Sequence, residues 1–217
     1  MNIEQARFNM VEQQIRTWEV LDQDVLDLLY LVPREEFVPE PHRVLAFSDM
    51  EIPIGEGECM WQPKMEARVV QELALKKTDS VLEVGTGSGY LTALLSHRAG
   101  HVHTVEVKPK LAELGRKNLA RQAVDNVTLQ IGDAARGWPR QAPYDVIVLT
   151  GSTPVLPRAF LEQLAPGGRL FAVTGEAPAM TARLVTCTAP LACGSVDLFE
   201  TVIAPLVNAE QPSRFRF

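Results

Sequence analysis

Apolar residues recur at helical spacing in the first third of the chain. Phe8, Val11, Ile15 and Trp18 form one set and Val25, Leu28, Leu29 and Val32 a second, which predicts two amphipathic helices. LDQD places Asp and Gln where the second helix begins. The prolines of VPREEFVPEPH end this run, because each biases the residue before it away from helical backbone. DMEIPIGEGE then reads as an extended, glycine-punctuated arm.

From about residue 61 the pattern changes to short apolar runs separated by helical ones. Met65, Val69 and Leu73 mark a helix opened by Pro63. SVLEV, HVHTVEV, NVTLQIGD, YDVIVLT and GRLFAVT read as strands, with helices at YLTALLSHR, PKLAELGRKNLARQA and PRAFLEQL. Buried strands alternating with helices predict a parallel sheet covered on both faces, joined by right-handed crossovers. ARLVTCTA and SVDLFETVIAPL are rich in β-branched residues with no helix between them, which predicts an antiparallel pair at one edge. The expected organisation is a single α/β domain over residues 1–217: a helical cap and arm (1–60), an α/β core (61–175), and C-terminal antiparallel strands with a tail (176–217).

Composition supports one sizeable core, with 46% hydrophobic and 22% charged residues in 217. Net charge is −6 and Lys and Arg are scattered, so there is no basic footprint and no nucleic-acid partner is expected. No apolar run approaches the roughly 20 residues of a spanning helix, and MNIEQARFNMVEQQ lacks the pattern of an export signal. A cytoplasmic protein without a membrane partner is the expectation. Cys59, Cys187 and Cys193 form no CxxC pair and are odd in number, which reads most simply as a reducing compartment. His101 and His103 share a strand face without a third ligand nearby, so no metal site is expected. Cys59, with no base beside it in sequence, reads as a small lining residue.

The candidate chemistry centres on LEVGTGSGY, residues 82–90, a glycine turn between a strand and a helix, where open α/β sheets bind ligands. A triphosphate loop needs a Lys that this turn lacks. A dinucleotide fingerprint needs GxGxxG, whereas Gly85, Gly87 and Gly89 spell GxGxG with Tyr90 following. Glu83 beside the turn repels a pyrophosphate and favours a cation, an attraction of roughly 1 to 4 kcal/mol over a few ångströms. S-adenosylmethionine carries a sulfonium, an ammonium and no phosphate, and the glycines let backbone approach it. Glu106 ends the second strand, placed to accept from both ribose hydroxyls. Asp133, after the third strand, is placed to accept from the adenine amino group.

VLEVGTGSGY, HTVEV, LQIGDAARGWP, YDVIVLTGSTPVLP and LAPGGRLFAV, in this order, resemble protein-L-isoaspartate O-methyltransferases, as do VPREEFVP and IPIGEG in the N-terminal part. The resemblance runs from about residue 10 to about 207. It implies a Rossmann-like seven-stranded methyltransferase sheet, mostly parallel with one reversed strand at the edge region. It also implies S-adenosylmethionine as cofactor and the side-branched carboxylate of a damaged aspartyl residue as acceptor. Thr86, Val107 and Gly132 fall in the cofactor motifs, and Met60, Gln62 and Pro63, on either side of the position that faces the reacting methyl, are further cofactor-binding candidates that the resemblance implies.

That segment departs from the family. Where well-known members read Thr-Ile-Ser, one further residue and Pro, this chain has Cys59, Met60 and Trp61 before Gln62 and Pro63. Trp61 therefore stands at the active-site serine position. Its indole offers one N–H and a large apolar face, suited to stacking on adenine or to a cation–π contact of roughly 0.5 to 2 kcal/mol, or simply to packing under the arm. On the acceptor side the candidates are Lys64, Thr150, Gly151 and Gln211. Lys64 reads equally well as an acceptor-carboxylate partner or as a solvated helix start, and residues 209–217 read as a solvated tail.

An ionised carboxylate, with a pKa of about 4, needs no general base to attack a methyl, so alignment is the main task. The leading expectation is thus an S-adenosylmethionine-dependent carboxyl O-methyltransferase acting on a protein or peptide. A methyltransferase with a small-molecule or other protein acceptor, and a non-catalytic module that binds the cofactor, stay open. A nicotinamide oxidoreductase fits poorly with Tyr90 and Glu83. The sequence sets no oligomeric state.

Overall fold

The computed structural model describes residues 2–212. The first helix, α1 (Ile3–Asn9), continues into a π-helical segment at Met10–Ile15 and a 3₁₀ turn at Arg16–Trp18. The wider π turn shifts the side-chain register. Met10, Val11 and Ile15 are buried while Phe8, expected to be on the same face, is 49% exposed. Helix α2 (Gln23–Leu31) is capped by Asp22, whose side chain accepts from the Asp24 N–H, and it buries Val25, Leu28 and Leu29. VPREEFVPEPH forms 3₁₀ turns, as its prolines require, and the arm is a hairpin of β1 (Ile52–Gly55) and β2 (Glu58–Met60).

Helix α3 (Pro63–Leu73) starts at Pro63 and buries Met65, Val69 and Leu73. Then follow β3 (Ser80–Val84), α4 (Tyr90–Arg98), β4 (His101–Glu106), α5 (Pro109–Arg121), β5 (Val127–Ile131), β6 (Tyr144–Leu149), the short α6 (Arg158–Glu162) and β7 (Leu164–Glu176). The edge hairpin is β8 (Ala179–Ala189) and β9 (Ala192–Glu200).

These last seven strands form one sheet in the order β5-β4-β3-β6-β7-β8-β9. Strands β3 to β7 are mutually parallel, and β8 runs antiparallel to both β7 and β9, so the reversed strand sits just inside the edge. The chain leaves β3 towards β4 and later returns to its other side as β6. That reversal opens the crevice in which such sheets bind ligands.

Strand alternation divides the core. Val81, Val146, Val148, Phe171 and Val173 share one cluster with the buried faces of α2, α3 and α4. Leu82, Val84, Ile147, Leu149, Leu170 and Ala172 share the other with Phe160 of α6 and Trp138. Among the described residues no helix is long and apolar enough to cross a membrane.

The cysteine expectation is corrected. Cys187 and Cys193 are cross-strand partners in the β8–β9 hairpin and are joined by a disulfide, while Cys59 is free and exposed. A tight turn brings residues six apart directly opposite, which CxxC spacing does not capture. Cysteine usage therefore gives no argument for a reducing compartment.

Candidate active site

A cleft of about 1090 Å³, open solvent at its mouth included, lies at the C-terminal ends of β3, β4, β5 and β6. Its floor is the turn after β3, with Val84, Gly85, Thr86, Gly87 and Ser88. The turn needs glycine at its first position: Gly85 has φ +100° and an added Cβ would lie 2.1 Å from the Thr150 hydroxyl oxygen. Gly89 does a different job. It does not line the cleft, and an added Cβ would meet Leu119 and the backbone of Gly115 on α5, so it sets helix packing rather than cofactor approach.

Glu106, 4% exposed, lines the cleft at the end of β4. Its Oε2 accepts from the Gly87 N–H at 2.9 Å and its Oε1 from the Lys108 N–H at 3.0 Å. The carboxylate thereby shapes the glycine turn and keeps acceptor capacity, since each oxygen has more than one lone pair. Val107 and Gly132 line the same wall. Asp133 lies at the end of β5, where Oδ1 accepts from the Ala135 N–H at 3.0 Å and Oδ2 from the Asn208 side-chain amide at 2.8 Å. That last bond draws the C-terminal segment over the cleft, and Ala204, Pro205, Leu206 and Val207 line it.

Glu83 is placed differently from expectation. It shares strand parity with Val81, which turns it under α4 and away from the cleft; it is 0% exposed and accepts from the Thr92 hydroxyl. Burial pushes its carboxyl up to about 8, so it is largely neutral at pH 7 and selects no cation. The cleft nevertheless has an acidic lining. Among the described residues Glu51, Glu58, Glu66, Glu106 and Asp133 contribute carboxylates against one ammonium, that of Lys108. Lys108 is itself paired with Glu58 and donates to the Glu56 carbonyl at 2.8 Å.

The arm closes the cleft from above. Met60 and Trp61 line it; Trp61 is 8% exposed and packs edge-on against Phe171 of β7 with ring centroids 6.3 Å apart. Trp61 is held from behind by Arg34, the arginine of VPREEF, whose Nη2 donates to the Trp61 carbonyl at 2.6 Å and whose Nε donates to the Ala46 carbonyl at 3.0 Å. Arg34 is 1% exposed, pairs through Nη1 with Glu66 of α3, and lies over the Tyr90 ring at 5.0 Å. Desolvation pulls the guanidinium down to about 10, still protonated at pH 7. Tyr90 is the first residue of α4, so one buried cation ties the cofactor turn to the arm.

Of the acceptor-side candidates, Thr150 and Gly151 line the cleft, and the Thr150 hydroxyl donates to the Val84 and Gly85 carbonyls at 2.8 and 2.9 Å. Lys64 does not line it. Its ammonium pairs with Asp49 at 2.7 Å and lies over the Trp18 ring. Gln62 and Pro63 form the start of α3 and also lie outside the lining. Gln211 is exposed, outside the lining, and donates to the Ala209 carbonyl; residues 213–217 of the tail lie outside the described residues. The rings of His101 and His103 lie tilted against each other on β4, and among the described residues no group of three metal-ligating side chains occurs. The lining residues Glu51, Glu58, Glu66 and Lys108, and the buried Arg34 behind them, were not legible as site residues. Only the proximity of Glu58 and Glu66 to the departing segment at 59–61 gave a signal.

Comparison with known proteins fits this geometry. The family model described as protein-L-isoaspartate(D-aspartate) O-methyltransferase matches residues 5–192. A protein-L-isoaspartate O-methyltransferase of Methanoculleus marisnigri is 43% identical over 169 residues, 78% of this chain and 77% of that one. One of Syntrophotalea carbinolica is 39% identical over 203 residues, 94% of each. The crystal structure of a putative enzyme of this name from Plasmodium falciparum, in complex with S-adenosyl-L-homocysteine, has a TM-score of 0.80 at 20% identity, covering 92% of this chain and 97% of that one, and bears on fold alone. Another solved protein-L-isoaspartate O-methyltransferase has a TM-score of 0.79 at 26% identity, covering 92% of this chain and 65% of that one. The chain belongs to the protein-L-isoaspartate(D-aspartate) O-methyltransferase family, whose members are S-adenosylmethionine-dependent enzymes.

Proposed function

We propose that this chain transfers the methyl group of S-adenosylmethionine to a carboxylate on a protein or peptide, with the side-branched carboxylate of an isoaspartyl residue as the default acceptor. The observation that carries the reading is the cleft beside the open glycine turn, with Glu106 and Asp133 at its wall, in a chain of this family. The residues present fit the cofactor. Glu106 has spare acceptor capacity for ribose hydroxyls, Asp133 for an exocyclic amine, and a lining that among the described residues has five carboxylates to one ammonium suits a sulfonium and disfavours a pyrophosphate. When bound, the cofactor supplies an electrophilic methyl on that sulfonium.

The chain's own task is alignment and dryness. An acceptor carboxylate with a pKa of about 4 is already ionised at pH 7, so no side chain has to remove a proton. Ile54, Met60, Trp61 and Leu206 supply apolar walls that exclude water around the reacting atoms. Holding two reactants in line is worth effective molarities of about 10⁵ to 10⁸ M. A second reading, an acceptor other than an isoaspartyl peptide, is favoured by one observation: the Trp61 indole fills the wall of the cleft at the position to which the sequence resemblance assigns a small hydroxyl.

The test is transfer of labelled methyl to paired peptides that differ only in an isoaspartyl or aspartyl linkage. A base-labile methyl ester on the isoaspartyl peptide alone supports the first reading. Label that appears only on other acceptors supports the second.

A further inference from the structure

Past β9 the chain crosses the mouth of the cleft and is tied down at two places. The first is Ser152, just after β6. Its N–H donates to the Ala204 carbonyl and its carbonyl accepts from the Leu206 N–H, both at 2.9 Å, and its hydroxyl donates to the Ile203 carbonyl at 3.2 Å. Gly151 lets the segment lie close, since an added Cβ would come 2.8 Å from the Leu206 nitrogen. The second tie is Asn208, whose side-chain amide donates to Oδ2 of Asp133 at 2.8 Å. Asn208 has φ +64°, a left-handed conformation that Asn tolerates better than most residues, and the Ala209 N–H closes the turn on the Leu206 carbonyl at 3.0 Å. Between the two ties, Ala204, Pro205, Leu206 and Val207 line the cleft on the side of Thr150 and Gly151.

Asp133 faces both ways. An ionised carboxylate accepts about four hydrogen bonds. The Ala135 N–H and the Asn208 amide take one on each oxygen. The remaining capacity is what the proposed function gives to the cofactor's exocyclic amine. A ligand there shields the carboxylate from water, and a hydrogen bond to a charged group strengthens as the local dielectric falls. A filled cofactor site and a seated C-terminal segment therefore favour each other.

We infer that Asn208 is a positioning residue: acting through Asp133, it seats residues 204–207 as the acceptor-side wall when the cofactor site is filled. The inference rests on the reading of Asp133 as a cofactor residue and deepens it. The acceptor binds the filled cleft more tightly than the empty one, and by linkage the acceptor tightens the cofactor by the same factor.

The experiment measures hydrogen exchange at the Leu206 and Ala209 amides of the full chain, with and without S-adenosylhomocysteine. Wild type is expected to exchange at least about fivefold more slowly at both when the ligand is bound. Asn208→Gly, which permits the positive φ but has no amide, is expected to lose that protection. Its KM for an isoaspartyl peptide at saturating S-adenosylmethionine is expected to rise at least about fivefold, with kcat within about twofold. Asn208 is exposed, and thermal melts check that the variant folds.

Unchanged exchange in wild type on binding, or full protection retained in Asn208→Gly, would overturn the inference. So would a tighter S-adenosylhomocysteine Kd in the variant, which would make the amide a competitor for the Asp133 carboxylate, or an unchanged peptide KM once protection is lost. Failure of the underlying readings looks different. No binding of S-adenosylhomocysteine by calorimetry removes the cofactor reading and the inference with it. Ligand binding with normal protection but no methylation of any peptide removes the carboxyl-methylation reading, and the exchange result then decides the coupling.

Discussion

Arg34 donates from Nη2 to the Trp61 carbonyl at 2.6 Å across 27 positions of the chain, and the same guanidinium is paired with Glu66. A segment of 3₁₀ turns near the N-terminus thus sets the height of the arm over the cleft. Buried ion pairs add little net stability against apolar replacements but cost much when half is removed, because the remaining charge is stranded.

Arg34→Met is therefore expected to lower unfolding stability by about 3 to 5 kcal/mol, read from urea titration. The double variant Arg34→Met/Glu66→Leu is expected to regain most of that loss. A single variant as stable as wild type would show that Arg34 is not the arm's support.

Trp61→Ser opens the acceptor end. Loss of a buried indole costs about 3 to 5 kcal/mol of stability, by analogy with large-to-small core changes. Its kcat/KM for an isoaspartyl peptide is expected to rise because the variant restores room and a hydroxyl. A fall in kcat/KM in a folded variant would mean that the indole itself positions the acceptor.

Glu106→Gln removes the charge that the proposed function assigns to the cofactor's ribose hydroxyls and weakens the bond to the Gly87 N–H. Hydrogen bonds to charged groups are worth about 1.5 to 3 kcal/mol, so the S-adenosylhomocysteine Kd should rise roughly 10- to 100-fold by calorimetry. An unchanged Kd would remove Glu106 from the cofactor site.

Glu83 makes a pH prediction. Its folded pKa of about 8 exceeds the ordinary 4.5, so between these values the unfolded chain releases a proton that the folded one keeps. Stability from this group is intact below about 4.5 and declines as pH rises towards about 8, by a few kcal/mol at most. Glu83→Gln, which cannot ionise, should gain Tm over wild type at pH 8 and show no gain at pH 4.5. An equal difference at both pH values would mean that Glu83 is ionised in the folded protein.

The sheet was legible because its strands are continuous apolar runs and its helices carry 3.6-residue periodicity, signals that act locally. SVLEV and YLTALLSHR form the strand and helix they predict, residue for residue. The cleft's location followed from strand, glycine turn and helix. What failed was direction and distance. Glu83 looked like a cleft carboxylate from its place before the turn, but strand parity turned it under α4, and the carboxylates that line the cleft are those of Glu106, Asp133 and the arm side instead. Glu66 and Arg34 look like surface residues in a one-dimensional reading, and they are buried because they meet each other. The Asn208 to Asp133 bond that folds the C-terminal segment over the cleft likewise joins positions with no local signature.

The central claim is that a carboxylate-lined cleft at the strand ends takes a cationic adenosyl ligand in preference to a phosphorylated one. Calorimetric titration of the full chain with S-adenosylmethionine and with NAD tests it most directly. The account predicts saturable one-site binding of S-adenosylmethionine, about 2.7 kcal/mol of added stability at a hundred times its Kd, and no heat with NAD. Binding of NAD as tight as that of S-adenosylmethionine, or no binding of either, would contradict it.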